Sequence, residues 1–154
     1  MDLSDILAPE AVIEPANVTC KKQALQDLAY RASDLTGIDQ REIFDALLQR
    51  ERLGSTGLGR GIAIPHVKFK KLTRIMCVFA RLKQPIPFDS QDGEDVDLVF
   101  LLLAPEHASG DHLKALARIS RLVREPSMLE ALRSAKDVDA LRSILLTPAT
   151  SHAA

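Results

Sequence analysis

The stretch VDLVFLLLA, residues 96 to 104, constrains the fold more than any other part of this chain. Apart from Asp97 it is apolar throughout, so a strand built from it must be covered on both faces. The run is too short to cross a membrane as a helix. The whole chain has 154 residues, which is the size of one ordinary domain. We therefore predict an α/β fold, with helices on both faces of a small central sheet.

The rest of the chain predicts the elements around this strand. Apolar periodicity predicts helices over 21–36, 109–125, 127–134 and 138–146, and a further helix that begins after Asp39 and ends at Gly54. A short strand is expected at 62–64 and a core strand at 75–82. Together these elements make one domain over residues 1–147, followed by a disordered tail over 148–154.

Charge and cysteine content exclude several classes of partner. Twenty basic and 21 acidic residues leave a formal net charge of -1, which gives no reason to expect nucleic acid or an anionic membrane. The two cysteines, Cys20 and Cys77, are far apart and fit a reducing environment. The first residues, MDLSDILAPEAV, lack the basic and apolar regions of a signal peptide. We expect a cytoplasmic protein without membrane insertion.

Residues 54 to 71, GSTGLGRGIAIPHVKFKK, contain four glycines within eight positions. A phosphate-binding P-loop would need lysine and a hydroxyl residue after Gly59, and Arg60 and Gly61 stand there instead. The dinucleotide fingerprint fails too, because isoleucine occupies the position of its last glycine. Nucleotide binding is therefore not expected. The alternatives are a tight loop that needs positive φ angles, or glycines that bring backbone amides close to a site.

Three polar side chains stand at the ends of predicted elements, on positions that face the core. Arg50 lies on the apolar stripe of its helix, at the C-terminal end. His66 follows a short strand and Pro65, while His112 begins the apolar stripe of a later helix. Each has an ordinary alternative: an arginine that reaches solvent or caps its helix, a loop histidine, and a histidine bonded to backbone at the core edge. Together they indicate an anion site, since this set of one arginine and two histidines includes no acidic partner.

The chemistry of two histidines beside an arginine favours a phosphoryl acceptor. Neutral imidazole is nucleophilic near neutral pH, and its phosphorylated form is labile enough to pass the group on. A guanidinium and backbone N–H groups would stabilise the charge on the phosphoryl oxygens. A metal is less expected, because His107 and His112 do not share one face of a helix.

The same residues carry a resemblance to a known family. The segment LLQRERLGSTGLGRGIAIPH resembles the active-site region of enzyme IIA proteins of the phosphotransferase system, in the fructose/mannitol superfamily, and is most similar to the nitrogen-regulatory type. The resemblance extends to LSDILAPEAV, PIPFDSQDGEDVDLVFLLLAPE and GDHLKALARISRLV, which is nearly the whole chain. It implies the fold of mannitol enzyme IIA, an α/β sandwich around a mixed sheet.

The resemblance also implies roles for particular residues. His66 matches the phosphorylated histidine, His112 the second active-site histidine, and Arg50 the site arginine. Thr56 matches a hydroxyl residue beside the loop. One position departs from the family, which usually has glycine directly after the phosphorylated histidine. Val67 stands there instead, and its bulk and its preference for negative φ predict a different local turn and slower transfer.

The function implied is that of a regulatory phosphocarrier. A histidine phosphocarrier protein of the nitrogen branch would phosphorylate His66, and the added charge would decide which target proteins bind, such as sensor kinases or potassium transporters. No cofactor and no metal are implied. Two alternatives share the fold: an interaction module that takes no phosphate, and a sugar-transport enzyme IIA that serves a separate permease.

The basic residues after His66 are either a solvated loop or a rim for an acidic partner; they are Lys68, Lys70, Lys71 and Arg74.

Overall fold

The computed structural model describes residues 2–15, 17–107 and 109–147, so the predicted tail over 148–154 lies outside the described residues. Two short 3₁₀ helices come first, Leu3–Asp5 and Pro9–Ala11. The remaining elements are, in order, β1 (Val12–Ile13), α1 (Lys21–Thr36), α2 (Gln40–Leu53), β2 (Gly57–Gly59), β3 (Ile62–Ala63), β4 (His66–Phe69), β5 (Met76–Ile86), β6 (Val96–Pro105), α3 (Ser109–Leu122), α4 (Pro126–Ser134) and α5 (Val138–Leu146).

The predicted apolar strand is the centre of the sheet. The strands run in the order β1-β5-β6-β3-β2, and β4 pairs with β6 beyond the end of β3. Strand β6 is antiparallel to β5 and parallel to β3 and β4, so the sheet is mixed. Every residue from Leu98 to Ala104 is at most 1% exposed. Since successive side chains point to opposite faces, both faces of β6 are covered. The predicted α/β fold is confirmed.

The helix boundaries follow the capping residues that the sequence offers. Helix α1 ends at Gly37, whose φ of 77° is the left-handed conformation expected of a C-terminal glycine. Helix α2 begins at Asp39, which accepts hydrogen bonds from the backbone N–H of Arg41 and Glu42. Asp137 caps α5 in the same way, through the N–H of Ala140 at 2.8 Å. Among the described residues, no helix has both the length and the apolar character needed to cross a membrane.

Two predicted boundaries differ from the structure by three residues or more, and proline explains both. Helix α3 ends at Leu122 rather than at residue 125, because Pro126 disfavours helical backbone in Glu125, which is extended. Pro126 itself opens α4, where its missing N–H costs nothing. Strand β5 runs past its predicted end at residue 82 to Ile86. Pro85 fits there because the pairing with β6 is irregular between Arg81 and Ile86, so no ladder hydrogen bond is lost.

The glycine-rich stretch is a β-hairpin rather than an open loop. Strands β2 and β3 pair antiparallel, and the turn between them holds Gly61 at a φ of 83°. A Cβ on Gly57 would overlap the side chain of Ser90, and a Cβ on Gly61 would overlap the guanidinium of Arg133. These two glycines therefore let the hairpin pack closely against its neighbours.

Candidate active site

A cleft of about 620 Å³ opens between the C-terminal half of α2, the start of β4 and the first turn of α3. Arg50, His66 and His112, which the sequence predicted as site residues, all line it. The full lining is Ala46, Gln49, Arg50, Arg52, Leu53, His66, Val67, Lys68 and His112. The structure thus brings together three side chains from separate elements that are distant in the sequence.

His66 is the first residue of strand β4, not a loop residue beyond the end of a strand as the sequence suggested. It pairs with Leu102 of β6, whose N–H donates to the carbonyl of Pro65 at 2.9 Å. The ring is fixed as well, because Nδ1 lies 2.8 Å from the carbonyl oxygen of Ile64. A carbonyl only accepts, so Nδ1 carries the proton. In the neutral ring, Nε2 then has the free lone pair of a nucleophile.

His112 stands beside His66 in the first turn of α3. The two ring centroids are 5.4 Å apart and the rings are tilted by 55°. His112 is 8% exposed, and its Nε2 has no hydrogen-bond partner among the described residues. Burial lowers the pKa of His112 below its usual value, and the nearby charges of His66 and Lys68 lower it further. The ring is therefore neutral near neutral pH, with a buried polar atom available to an incoming group.

Arg50 satisfies both interpretations that the sequence left open. Its Nη1 donates to the carbonyl of Gly54 at 3.0 Å, so it caps the end of its own helix. It also lines the cleft, together with Arg52 and Lys68. None of the nine lining residues is acidic, so the permanent charges of the cleft are all positive. This arrangement attracts anions.

Thr56 lies apart from these three residues. It is 7% exposed and is not part of the cleft lining. Its N–H and its hydroxyl both donate to the carboxylate of Glu51, which also pairs with Lys21 at 2.9 Å. Glu51 was overlooked in the sequence because it stands between two arginines in a polar run. Its spacing of four from Leu47 was the available signal, since it puts a carboxylate on the buried stripe of α2.

Val67, the departure from the family pattern, fits the observed backbone. It lies inside β4 opposite Leu103 and is not among the residues with positive φ. A β-branched residue suits an extended strand, so this backbone does not require glycine. Val67 is 8% exposed and is among the residues that line the cleft.

The chemistry of the lining, rather than its size, distinguishes this cleft. A larger cavity of about 710 Å³ lies between α1 and α2, but charges of both signs line it and it contains neither histidine nor cysteine. Within the described residues, no group of three or more His, Cys, Asp or Glu is placed to hold a metal ion. No glycine of the hairpin is among the residues that line the cleft. The carbonyl of Gly61 accepts from the N–H of Leu98 on β6. His66 pairs with Leu102, four residues further along the same strand, so at about 3.3 Å per residue Gly61 lies about 13 Å from His66.

Comparison with protein families gives one match, which spans nearly the whole chain. The model of the family described as phosphoenolpyruvate-dependent sugar phosphotransferase system, EIIA 2, matches residues 5–147. A protein from Bradyrhizobium diazoefficiens named nitrogen regulatory protein is 55% identical over 152 residues, which cover 98% of this chain and 99% of that protein.

Solved structures agree with this match. The crystal structure of nitrogen regulatory protein IIA-Ntr from Neisseria meningitidis superposes with a TM-score of 0.87 and 32% identity, covering 93% of this chain and 98% of that one. The mannitol IIA of Escherichia coli has a TM-score of 0.74 at 21% identity, over 90% of this chain and 97% of that one, which shows a shared fold. The predicted resemblance to nitrogen-regulatory enzyme IIA is confirmed.

Proposed function

Because the chain belongs to the EIIA 2 family of the phosphoenolpyruvate-dependent sugar phosphotransferase system, we propose that it accepts a phosphoryl group on Nε2 of His66 and regulates other proteins through that modification. The observation that carries the proposal is the hydrogen bond between Nδ1 of His66 and the carbonyl of Ile64. It leaves Nε2 as the nucleophilic nitrogen, in a cleft whose permanent charges are positive. The nitrogen-regulatory relatives at 55% and 32% identity support the regulatory role.

The proposed donor is a phosphohistidine on a histidine phosphocarrier protein of the nitrogen branch. The lone pair of Nε2 forms the new N–P bond while the N–P bond of the donor breaks. The donor's imidazole recovers its lone pair, and the proton on Nδ1 of His66 stays hydrogen-bonded to the carbonyl of Ile64. No further reactant is needed. Because the bond broken and the bond formed are both N–P bonds, the transfer is reversible, as a relay requires.

Arg50 and His112 are proposed to stabilise the transferring group. The guanidinium of Arg50 has donors left after its bond to Gly54, and these suit the equatorial oxygens of a phosphoryl group. Nε2 of His112 lacks a partner among the described residues and lies on the ring next to His66. A dianion on His66 would raise the pKa of His112, opposite in direction to the present effect of burial. His112 would then take up a proton and donate it to the phosphoryl oxygen in a hydrogen bond.

Regulation follows from the same change in charge. The unphosphorylated cleft presents Arg50, Arg52 and Lys68 without an acidic residue in its lining. A phosphoryl group carries nearly two negative charges, so it would neutralise most of this surface. Target proteins, such as sensor kinases or potassium transporters, would distinguish the two forms by that difference. We expect the protein to act in the cytoplasm, and the free thiols of Cys20 and Cys77 are in keeping with this.

The experiment is incubation with the phosphorylated phosphocarrier, followed by intact-mass analysis. We expect one added phosphoryl group that is stable in alkali and lost in acid. His66→Ala should abolish it, whereas His107→Ala, which changes an exposed histidine outside the cleft lining, should retain it. Absence of the added mass on the wild-type chain would instead favour an interaction module that takes no phosphate.

A further inference from the structure

We propose that Glu51 is a positioning residue for the candidate active site, holding the loop that fixes both His66 and Arg50. The inference rests on the proposed function, because it assigns Glu51 a part in phosphoryl transfer. Glu51 does not line the cleft. It acts through the segment between α2 and β2, which connects the two site residues.

Glu51 has the contacts of an anchor. Its side chain is 4% exposed, so its charge must be compensated by neighbours. Nζ of Lys21 lies 2.9 Å from Oε2, and the N–H of Thr56 donates to the same oxygen at 3.1 Å. The hydroxyl of Thr56 donates to Oε1. One carboxylate therefore ties the start of α1 and the loop after α2 to the end of α2.

A chain of hydrogen bonds leads from this anchor to His66. The backbone N–H of Thr56 donates to Glu51, and the carbonyl of Thr56 accepts from the N–H of Ile64 at 3.0 Å. The carbonyl of Ile64 in turn accepts from Nδ1 of His66 at 2.8 Å. The bond that selects the tautomer of His66 is thus the third step from the Glu51 carboxylate. A loop that shifts at Thr56 would move the carbonyl that holds the ring.

A second connection leads to Arg50. The carbonyl of Gly54 accepts from Nη1 of Arg50 at 3.0 Å, and Gly54 is two residues from Thr56. Ser55 between them is held separately, because its hydroxyl donates to the carbonyl of Phe88 at 2.6 Å. Lys21 stacks over the ring of Phe88 at 4.7 Å, so the ion pair supports this contact too. The segment 54–56 is therefore fixed at every residue.

The prediction concerns geometry at His66 rather than charge in the cleft. In Glu51→Gln the side chain keeps its size, but it loses the charge that pairs with Lys21 and one of the oxygens that accept from Thr56. The loop should become less ordered, and His66 should populate the Nε2–H tautomer, whose attacking nitrogen is protonated. We expect the maximal rate constant for phosphorylation by phosphoramidate, a small phosphoryl donor, to fall about 10- to 100-fold, with little change in the donor concentration that gives half of that rate.

The test combines that rate with the imidazole ¹⁵N spectrum of the unphosphorylated protein. The matched control is Glu42→Gln, which changes an exposed carboxylate on the same helix that pairs with Lys71 at 3.0 Å. It should leave both the tautomer and the rate with phosphoramidate unchanged. Thr56→Val keeps the backbone N–H but loses the hydroxyl and should give a smaller change in the same direction, whereas Thr56→Ser should behave as wild type.

Two outcomes would overturn the proposal. One is that His66 has the same tautomer in Glu51→Gln as in Glu42→Gln. The other is that the two variants lose the rate of phosphorylation by phosphoramidate equally. If Glu51→Gln does not fold, the contrast between Thr56→Val and Thr56→Ser decides the matter. If the wild-type protein accepts no phosphoryl group from any donor, the proposed function fails, and the tautomer measurement alone then decides whether Glu51 positions His66.

Discussion

The hairpin and the cleft lie a few residues apart in the sequence, yet they differ in whether their charged side chains have partners of opposite charge. In the hairpin region the guanidinium of Arg133 binds the carboxylate of Asp97 at 2.9 Å and the carbonyl of Arg60. Asp92 accepts from the N–H of Arg60 at 2.8 Å, and such backbone bonds lower the pKa of its carboxyl. In the cleft, cations meet no acidic side chain among the lining residues.

The difference teaches where to look for a site in a chain of this kind. The spacing of the glycines suggested a site at the hairpin, but the charges there compensate one another. Neighbouring side chains also occupy the space beside its glycines. In the cleft no acidic residue among the lining compensates the positive charges, and Nε2 of His112 lacks a partner among the described residues. A buried polar group without a partner costs stability, so it is expected where an incoming group supplies the partner. The following predictions test this contrast.

The largest difference in the rate of phosphoryl transfer should come from replacing one arginine in the cleft and, separately, one at the hairpin by alanine. Arg50→Ala removes the donor that we propose to contact the transferring group, so we expect transfer to His66 to slow by about 100-fold. Arg133→Ala removes the ion pair with Asp97 at the hairpin and should leave the transfer rate of the folded protein within about twofold. Both are measured by quenched-flow phosphorylation. Equal slowing in the two variants would contradict the division between the regions.

The next effect should be confined to stability. Gly57→Ala forces a Cβ against Ser90, so we expect the free energy of unfolding to fall by about 1–3 kcal/mol in urea denaturation. The double variant with Ser90→Gly removes the obstruction and should recover most of the loss. Phosphorylation of the folded protein should be unchanged in both. If Gly57→Ala lost phosphoryl transfer without losing stability, the hairpin glycines would have a role in the active site, which would contradict this prediction.

A smaller effect concerns pH. Since burial lowers the pKa of His112 below 6.5, the unfolded chain binds a proton there more readily than the folded protein does. This contribution to stability is fully present above pH 6.5 and is lost as the pH falls below it. His112→Gln should therefore show a weaker decline in stability than wild type on acidification. Parallel curves for the two proteins between neutral and mildly acid pH would contradict a depressed pKa.

The smallest effect is expected at the basic residues beyond His66. Lys68 and Lys70 are exposed, while Lys71 is already paired with Glu42. Replacing Lys68 and Lys70 by Ala should lower the rate of association with an acidic donor by a few-fold and weaken its dependence on salt. Replacing Lys71 should matter less. Stopped-flow kinetics at several ionic strengths measure both, and an unchanged rate would leave these residues as a solvated surface.

Much of the fold could be predicted because local signals agreed with tertiary packing. The apolar run of β6 and the helix that begins after Asp39 were each predicted in the observed place. The hairpin could be predicted only in part, since a short strand was expected at 62–64 but its pairing with β2 was not. Its strands are two and three residues long, and they are held by contacts to Ser90 and Arg133 that are distant in sequence.

The candidate site was predicted in part for a similar reason. The positions of Arg50, His66 and His112 on core-facing stripes or after a strand predicted their convergence. His66 was expected in a loop because its pairing with β6 depends on the sheet register, which no local pattern reveals. Glu51 was overlooked because a carboxylate among arginines resembles an exposed ion pair. Its spacing from Leu47 was the one sequence signal of burial, and the contacts with Lys21 and Thr56 show what compensates its charge.

The central claim is that Nε2 of His66 receives the phosphoryl group, and one measurement tests it directly. Uniformly ¹⁵N-labelled protein is phosphorylated by its phosphocarrier, and the imidazole nitrogens are followed in long-range ¹H–¹⁵N spectra. We predict that the phosphorus couples to Nε2 of His66 while Nδ1 keeps its proton, which the carbonyl of Ile64 holds at 2.8 Å in the unmodified protein. Phosphorylation of Nδ1, or of any other residue with His66 unmodified, would contradict it.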